Sequence, residues 1–436
     1  MIKHLLKLVW NRKRVNFLIT VEIFFSFIVL FGVVLATVYY IDNYRQPLGY
    51  HYENVWCVSM DSNDRSEGRR TSQNTVTSGD QSQASPAATP LAESETATTL
   101  KHLMLAANEF DEIESVATGT VTPYGDGTDA SAIGEEPTMI RYLVNTVSDD
   151  YDKTLGLTIT HGRWFNREDD GANYNPVVIN ERLNREVFEG ANPIGKELRP
   201  PGFPSKPGEK DKPAKERDPK SKPMRVIGVV TDFRKDGEYA GLENFLFRRQ
   251  EFNAETQRVP GNLMVKVKPG TTAAFEETLI KRLQAVAKDW SFEIEPVVRM
   301  RESANQFRLA PLIAGALIAG FLMLMVAMGL TGVLWQNVTQ RTKEIGLRRA
   351  KGATARRIHK QILAELLIIS TLGLVVGVAA VIQFPLLDVI GFISKQVFVS
   401  SLFISLAVIY ALTVICGLYP SWMATKVQPA EALHYE

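Results

Sequence analysis

A chain of 436 residues is long enough for two or three domains, and a formal net charge of +1 excludes a protein that is basic throughout and binds polyanions. Two cysteines cannot form a disulfide framework. The near-neutral net charge conceals two strongly basic segments beside apolar runs. Basic segments in such positions are a signal of membrane topology.

Four apolar segments occur along the chain, one near its start and three in its last third. Each exceeds the roughly 20 apolar residues that an α-helix needs to cross a membrane. The first is longer than the apolar part of a signal peptide, about 7–15 residues, and it ends in Tyr39 and Tyr40 rather than in small residues. We therefore predict transmembrane helices at residues 15–40, 309–335, 362–383 and 399–421.

Positive charge predicts the orientation of these helices. Residues 1–14 hold five basic residues and no acid, and residues 341–360 hold eight basic residues and one acid. Because Lys and Arg concentrate on the cytoplasmic side, we expect both segments inside. The expected order is then a cytoplasmic segment 1–14, an outside domain 41–308, a cytoplasmic connection 336–361, a short outside loop 384–398 and a cytoplasmic tail 422–436.

The expected outside domain combines strands with helices. Two stretches do not fit a packed core, because residues 61–98 contain 13 Ser and Thr and residues 200–223 contain seven prolines; we predict both as mobile insertions. The remainder predicts an α+β domain. Its expected helices are 100–107, 273–288 and the stretch ERLNREVFEG, and its expected strands are 139–144, 176–180, 225–230, 263–267 and 291–297.

Two motifs in this domain resemble ligand sites but fail in detail. GANPIGKE has the spacing of a phosphate-binding loop, yet Glu197 stands where a magnesium-binding Ser or Thr is required. REDDGANYN lacks the Gly and Glu of a calcium loop and predicts a solvated acidic loop. The six histidines are scattered. We therefore expect no catalytic residue, no metal site and no cofactor in this chain.

Polar and small residues inside the apolar segments predict helix packing. Glu22 and Glu365 are membrane carboxylates, which are costly unless they are paired; an interhelical hydrogen bond and a proton relay are both open. Small residues four apart let helices approach closely, within or between subunits. The packing positions are Glu22, Gly315, Gly320, Gly373 and Gly377.

The connection RTKEIGLRRAKGATARRIHK retains helical propensity around two glycines. Gly352 predicts a bend, and Thr354 predicts the N-cap of a new helix. From its composition, an ordinary loop that touches anionic lipid is the alternative.

This connection resembles the cytoplasmic segment of the FtsX-like, MacB-type ABC transporter permeases, whose pattern is close to R-x-x-EIG-x-RRA-x-GA. VVINERLNREVFEGANPIGKEL, VIGVVTDFR and LGLTITHGRWF resemble their periplasmic core domain, and GLYPSWMATKVQPAEALHYE resembles their C-terminal end. Pro420-Ser421 stands where Pro-Ala is usual. The resemblance implies four transmembrane helices with a large α+β extracytoplasmic core domain between helices 1 and 2, in a bacterial inner membrane.

The resemblance also implies a function. We expect a permease subunit, not an enzyme, that couples ATP hydrolysis by a separate ATPase subunit, which holds ATP and Mg, to movement of the outside domain in efflux or extraction. Its partners would be an ATPase dimer, a second permease copy or a homologous permease, membrane lipid and no nucleic acid; a periplasmic adaptor stays open. A cell-division FtsX-type regulator of envelope enzymes and an extracytoplasmic ligand sensor are the alternatives. The implied coupling residues are Arg341, Glu344, Ile345, Gly346, Arg348, Arg349, Gly352 and Ala353.

Overall fold

The computed structural model of the chain forms two compact units. One unit is Gln46–Gln306, and the other combines Met1–Arg45 with Phe307–Glu436. We call them the core domain and the membrane unit. The residues that the structure describes are 13–62, 90–125, 127, 129–133, 139–198, 222–252, 260–340, 347–348, 354–387 and 393–426.

A four-stranded antiparallel sheet forms one half of the core domain. Its strand order is β11-β1-β10-β2, and two helices complete a β-α-β-β-α-β arrangement of the ferredoxin-like kind. In chain order the elements are β1 (Val55–Ser62), α2 (Pro90–Ala107), β2 (Ile113–Thr118), β10 (Asn262–Val267), α5 (Ala274–Val286) and β11 (Trp290–Pro296).

Helices α2 and α5 close the core of this half. Leu100 and Leu103 from α2, with Leu279 and Leu283 from α5, lie in one buried cluster with strand residues such as Val265. All of these side chains are fully buried, and burial of each leucine is worth about 1.5–3 kcal/mol. The strand–helix–strand end predicted for this domain is confirmed as β10, α5 and β11.

A second sheet is inserted in the chain between β2 and β10. Its strand order is β3-β4-β9-β6-β8-β5, with β7 paired to β8; the sheet is mixed, because β4 and β9 are parallel, as are β6 and β8. The elements are β3 (Ala130–Ile133), β4 (Ile140–Val147), α3 (Tyr151–Leu155), β5 (Ile159–Gly162), β6 (Asn175–Asn180), α4 (Glu181–Phe188), β7 (Glu197–Leu198), β8 (Met224–Val230) and β9 (Phe245–Arg249).

The membrane unit contains helices that are long and apolar enough to cross a membrane: α1 (Lys13–Tyr44), α7 (Ala355–Leu386), α8 (Lys395–Lys426) and most of α6 (Val297–Gln340). Helices α1, α7 and α8 pack against one another. The shared apolar cluster includes Ile23 and Phe27 of α1, Leu330 of α6, Leu366 of α7 and Ile409 of α8. The predicted fold class, four transmembrane helices with an α+β domain between the first two, is confirmed.

One predicted boundary was wrong. Residues 90–98, assigned to the mobile insertion 61–98, form the first half of α2, and β1 extends through Ser62. Pro90 is favourable at the first position of a helix, and Ala97 is buried in the core; averaging composition over the whole insertion concealed both features. Residues 63–89 and 200–221 of the two insertions lie outside the described residues.

Helix α6 begins before the predicted membrane span. The core domain ends at Gln306, close to the predicted end of the outside domain at residue 308. Helix α6 begins earlier, at Val297, and runs unbroken for 44 residues. The polar stretch RMRESANQFR is rich in good helix formers. It therefore extends the apolar helix into the core domain.

Candidate functional site

The basic connection between α6 and α7, residues 341–354, is the predicted functional segment, and the structure describes three of its residues, Leu347, Arg348 and Thr354. The predicted bend at Gly352 lies outside the described part of the chain, and Thr354 occupies the N-cap position of α7. The other predicted coupling residues that lie outside the described part of the chain are Arg341, Glu344, Ile345, Gly346, Arg349 and Ala353.

Arg348 is bonded to the start of α7 through an amide. Its Nη1 donates to Oε1 of Gln361 at 3.1 Å, and Nε2 of Gln361 donates to Oε1 of Glu365 at 3.4 Å. Gln361 and Glu365 lie four residues apart on one helix face, a spacing at which side chains meet. The chain of bonds therefore links a cation of the connection to a carboxylate on α7.

Gln361 is not among the predicted site residues. Its position four residues before Glu365 could have indicated a contact between the two side chains. The hydrogen bond that Glu365 accepts from Gln361 lies within α7, and an interhelical hydrogen bond or a proton relay at Glu365 stays a prediction. Gln361 thus bridges Arg348 and Glu365 through its side-chain amide.

The helix ends on either side of the connection are also packed together. Ile358 of α7 is 6% exposed and contacts Val338, near the end of α6, and Ile362. Apolar contact at this point holds the two ends of the connection close together. The end of α6 and the start of α7 are therefore in direct apolar contact.

Small residues place α7 directly against α1. A Cβ atom on Gly377 would lie 2.5 Å from Cδ1 of Phe27, and one on Gly373 would lie 2.9 Å from the carbonyl oxygen of Thr20. No real Cβ tolerates such distances, so larger residues would separate the helices. These two glycines lie at a helix contact within the chain.

The other predicted packing residues divide into contact and open positions. Glu22 of α1 lies against α6, where a Cβ on Gly329 would approach its Oε2 to 2.9 Å, and a Cβ on Gly315 would approach Val33 to 3.2 Å. A Cβ on Gly320 would meet nothing within 4 Å. The pattern of small residues therefore does not by itself identify an intramolecular contact.

Polar contacts that we did not predict join α7 to α8. The hydroxyl groups of Ser370 and Thr413 lie 2.9 Å apart in a buried position, and those of Thr371 and Tyr410 lie 3.0 Å apart. Hydroxyl pairs of this kind add specificity to helix packing in an apolar surrounding. They connect α7, the helix that carries Gln361, to α8.

The phosphate-loop-like motif of the core domain has the geometry of a turn between α4 and β7. The N–H of Gly195 donates to the carbonyl of Val226 at 2.8 Å, and the ammonium of Lys196 lies 5.1 Å from the ring centre of Phe188. Glu197 begins β7. The groups that would hold a phosphate are thus engaged within the domain.

The prediction of a solvated acidic loop was wrong for Asp169. This carboxylate is 5% exposed and accepts hydrogen bonds from both terminal nitrogens of Arg163, at 2.8 and 2.7 Å. Asp170 accepts a bond from Arg249 at 2.6 Å. Arg163 therefore compensates the buried charge of Asp169, whereas the side chain of Asp170 is 67% exposed and pairs with Arg249 of β9.

Two family models match the chain. The MacB-like periplasmic core domain matches residues 26–282, more than half of the chain, and the FtsX-like permease C-terminal region matches residues 316–429. The second match contains Arg348, Gln361, Glu365 and the glycines of α7.

Individual proteins also resemble the chain over part of its length. YvrN of Bacillus subtilis, an uncharacterized ABC transporter permease, is 26% identical over 316 residues, which cover 66% of this chain and 69% of YvrN. The macrolide export ATP-binding/permease protein MacB of Bdellovibrio bacteriovorus is 27% identical over 301 residues, which cover 66% of this chain and 43% of that protein. The crystal structure of the periplasmic region of MacB from Actinobacillus actinomycetemcomitans is 16% identical, with a TM-score of 0.34, and the match covers 58% of this chain and 94% of that one.

Proposed function

Because the chain belongs to the family of MacB-like and FtsX-like ABC transporter permeases, we propose that it couples ATP hydrolysis by an ATPase subunit to movement of its core domain. The chain itself would be a transport subunit, and ATP and Mg would be bound by the partner. In this proposal the permease lies in the inner membrane with both termini in the cytoplasm, pairs with a second permease, and exports or extracts an envelope substrate.

The bond chain from Arg348 through Gln361 to Glu365 carries the proposal. It ties the predicted ATPase-docking segment to α7, which packs tightly on α1. A push on the connection would therefore reach two membrane helices through direct contacts. This geometry supports mechanical coupling and needs no substrate path through the helices.

The docking role is tested first by substitutions in the connection. We expect Glu344→Lys and Ile345→Asp to lower the amount of ATPase that copurifies with the tagged full-length chain at least tenfold. Burial of an isoleucine at an interface is worth about 1.5–3 kcal/mol, which is roughly 10-fold to 150-fold in affinity. Glu344→Lys adds positive charge and so preserves the expected topology.

Arg356→Ala is the matched control, since this exposed residue of α7 follows the predicted bend. It should retain the ATPase at the level of the unmodified chain. Normal ATPase recovery with both Glu344→Lys and Ile345→Asp would show that the connection is a topology-determining loop. The ATPase proposal would then be wrong for this segment.

A further inference from the structure

One loop of the core domain holds the segment through which the chain enters the domain. We define the clasp loop as residues 232–240, which follow β8. The side chain of Arg234 is 1% exposed, its Nη1 donates to the carbonyl of Gln46 at 3.4 Å, and its backbone N–H donates to the carbonyl of Leu48 at 3.1 Å. Two contacts from one buried residue thus fix the first residues of the domain.

Close backbone approach adds to this attachment. Gly49 has a φ of +81°, and a Cβ atom there would lie 2.1 Å from the carbonyl oxygen of Asp232. Only glycine permits that approach in this conformation. The entry segment is therefore seated on the clasp loop by its backbone as well as by Arg234.

The same loop holds the first turns of α6, where the chain leaves the domain. Glu238 is 6% exposed and forms an ion pair with Arg301 of α6. It also accepts a hydrogen bond from the hydroxyl of Tyr124 at 3.3 Å. The guanidinium carbon of Arg301 lies 4.7 Å from the ring centre of Tyr52, which belongs to the entry side.

The two attachments are joined inside the loop. Nη2 of Arg234 donates to the carbonyl of Glu238 at 3.3 Å and to the carbonyl of Ala240. A buried charge that loses its partner is strongly destabilising, unlike a charge in an exposed pair. The three charged residues Arg234, Glu238 and Arg301 therefore hold both chain ends of the domain at one place.

The links between the membrane helices and these attachments are short. Helix α1 ends at Tyr44, two residues before Gln46, and α6 continues from Val297 to Gln340 without interruption. A long flexible linker would absorb a displacement, whereas a continuous helix transmits it along its axis. Val297 is also fully buried in the core-domain cluster.

We propose that the clasp loop is the point at which displacement of α1 and α6 enters the core domain, with Arg234, Glu238 and Arg301 as its positioning residues. This inference rests on the proposed coupling function. The clasp does not contact the ATPase and does not bind cargo in this proposal. It determines whether movement of the membrane helices becomes movement of the domain.

Hydrogen–deuterium exchange of the full chain with its ATPase, in nanodiscs, tests the clasp. Exchange is compared without nucleotide and with ATP plus orthovanadate, which traps the hydrolysing state. In the unmodified complex we expect a nucleotide-dependent change in peptides that cover residues 46–60 and 224–250. Arg301→Ala and Glu238→Gln should reduce that change at least fivefold while ATP hydrolysis stays within twofold.

Two further variants separate positioning from simple stability. Glu302→Ala alters an exposed neighbour of Arg301 and should respond like the unmodified chain, and Arg301→Lys keeps the charge and should recover part of the response. Resting exchange in β6 reports whether the domain is folded. If Arg301→Ala exposes β6, the result of Glu238→Gln decides, because this substitution removes the charge but preserves the size of the side chain and one acceptor oxygen.

The outcomes distinguish the clasp from the coupling function. An unmodified complex that hydrolyses ATP without any exchange change in the core domain would overturn the coupling function and the clasp together. A normal change in the unmodified complex that persists in Glu238→Gln and in folded Arg301→Ala would overturn the clasp alone. Loss of the change in these variants, with β6 protected and Glu302→Ala unaffected, would support the clasp.

Discussion

At the scale of single residues, arginines determine the chemistry of the acidic loop in the core domain. Asp169 is held by Arg163 and by the backbone N–H of Asn166 at 3.1 Å. Arg249 binds Asp149 at 2.6 and 2.7 Å and Asp170 at 2.6 Å. Asp169 and Asp170 thereby tie the loop to Arg163 and to Arg249 of β9.

Asp169→Asn should destabilise the core domain in a pH-dependent way. Burial alone would raise the pKa of Asp169, but hydrogen bonds from Arg163 and Asn166 hold the pKa below its ordinary value of 3.8. A lowered folded-state pKa gives stability that is present above about pH 4 and is lost as pH falls through the folded-state pKa. We expect a loss of about 1–3 kcal/mol at pH 7, towards the low end because Arg163 is half-exposed.

Hydrogen exchange in β6 and β8 measures this loss. The difference between Asp169→Asn and the unmodified chain should shrink when the pH falls below about 4. Asp150→Asn is the control, because Asp150 pairs with Lys153 on the surface and should change stability by less than about 1 kcal/mol. Equal effects of the two substitutions at pH 7 would contradict the anchoring role of Asp169.

At the scale of helices, the same small-residue spacing has two meanings. On α7 it brings Gly373 and Gly377 against α1. On α6 it places Gly315 near Val33 but leaves Gly320 facing open space. Spacing along a helix specifies a face, and only the arrangement of the helices specifies what that face meets.

Gly377→Leu should weaken the membrane unit, whereas Gly320→Leu should leave the packing within the chain unchanged. The leucine at 377 would collide with Phe27, and overpacking of a close contact costs typically about 1–3 kcal/mol. Cys416 of α8 is half-buried, so it reacts with a thiol-reactive dye as the membrane unit unfolds on heating. The measurement uses detergent-solubilised protein with Cys57→Ala, in which the dye reports Cys416 alone. We expect a lower unfolding temperature for Gly377→Leu alone.

An unfolding temperature for Gly377→Leu equal to that of the Cys57→Ala protein would contradict close packing of α7 on α1. A decrease for Gly320→Leu would instead assign that open glycine to a contact between chains. The two glycines thus serve as reciprocal controls, since the same leucine enters a close contact in one case and open space in the other.

At the scale of the whole molecule, the division into two units agrees with the charge pattern. The core domain lies in the chain between α1 and α6, and the basic connection lies between α6 and α7. An even number of membrane crossings separates the basic N-terminal segment from that connection. Both basic segments are therefore expected on the cytoplasmic side.

Membrane-impermeant thiol labelling of whole cells tests this topology. In a background with Cys57→Ala and Cys416→Ser, Lys281→Cys should be labelled from outside and Thr354→Cys should not. Both positions are exposed in the structure, so reactivity reports the side of the membrane. Labelling of Thr354→Cys in intact cells, with Lys281→Cys protected until the cells are opened, would reverse the orientation.

The sequence by itself determined the four apolar helices, the α+β class of the core domain and the family motifs. These properties are local, because a run of apolar residues needs about 20 positions to span a membrane and a strand or helix shows its own period. The spacing of small residues also identified Gly373 and Gly377 as packing positions. The predicted docking residues Glu344 and Ile345 stay predictions.

Only the tertiary structure decided how distant residues meet. The pairing of β1 with β11, the insertion of the second sheet between β2 and β10, and the ion pair of Glu238 with Arg301 all join residues far apart in sequence. No local pattern marks Arg234 as a buried residue, since an arginine is usually exposed. Its burial becomes stable only when the fold brings the carbonyls of Gln46 and Glu238 within reach of one guanidinium.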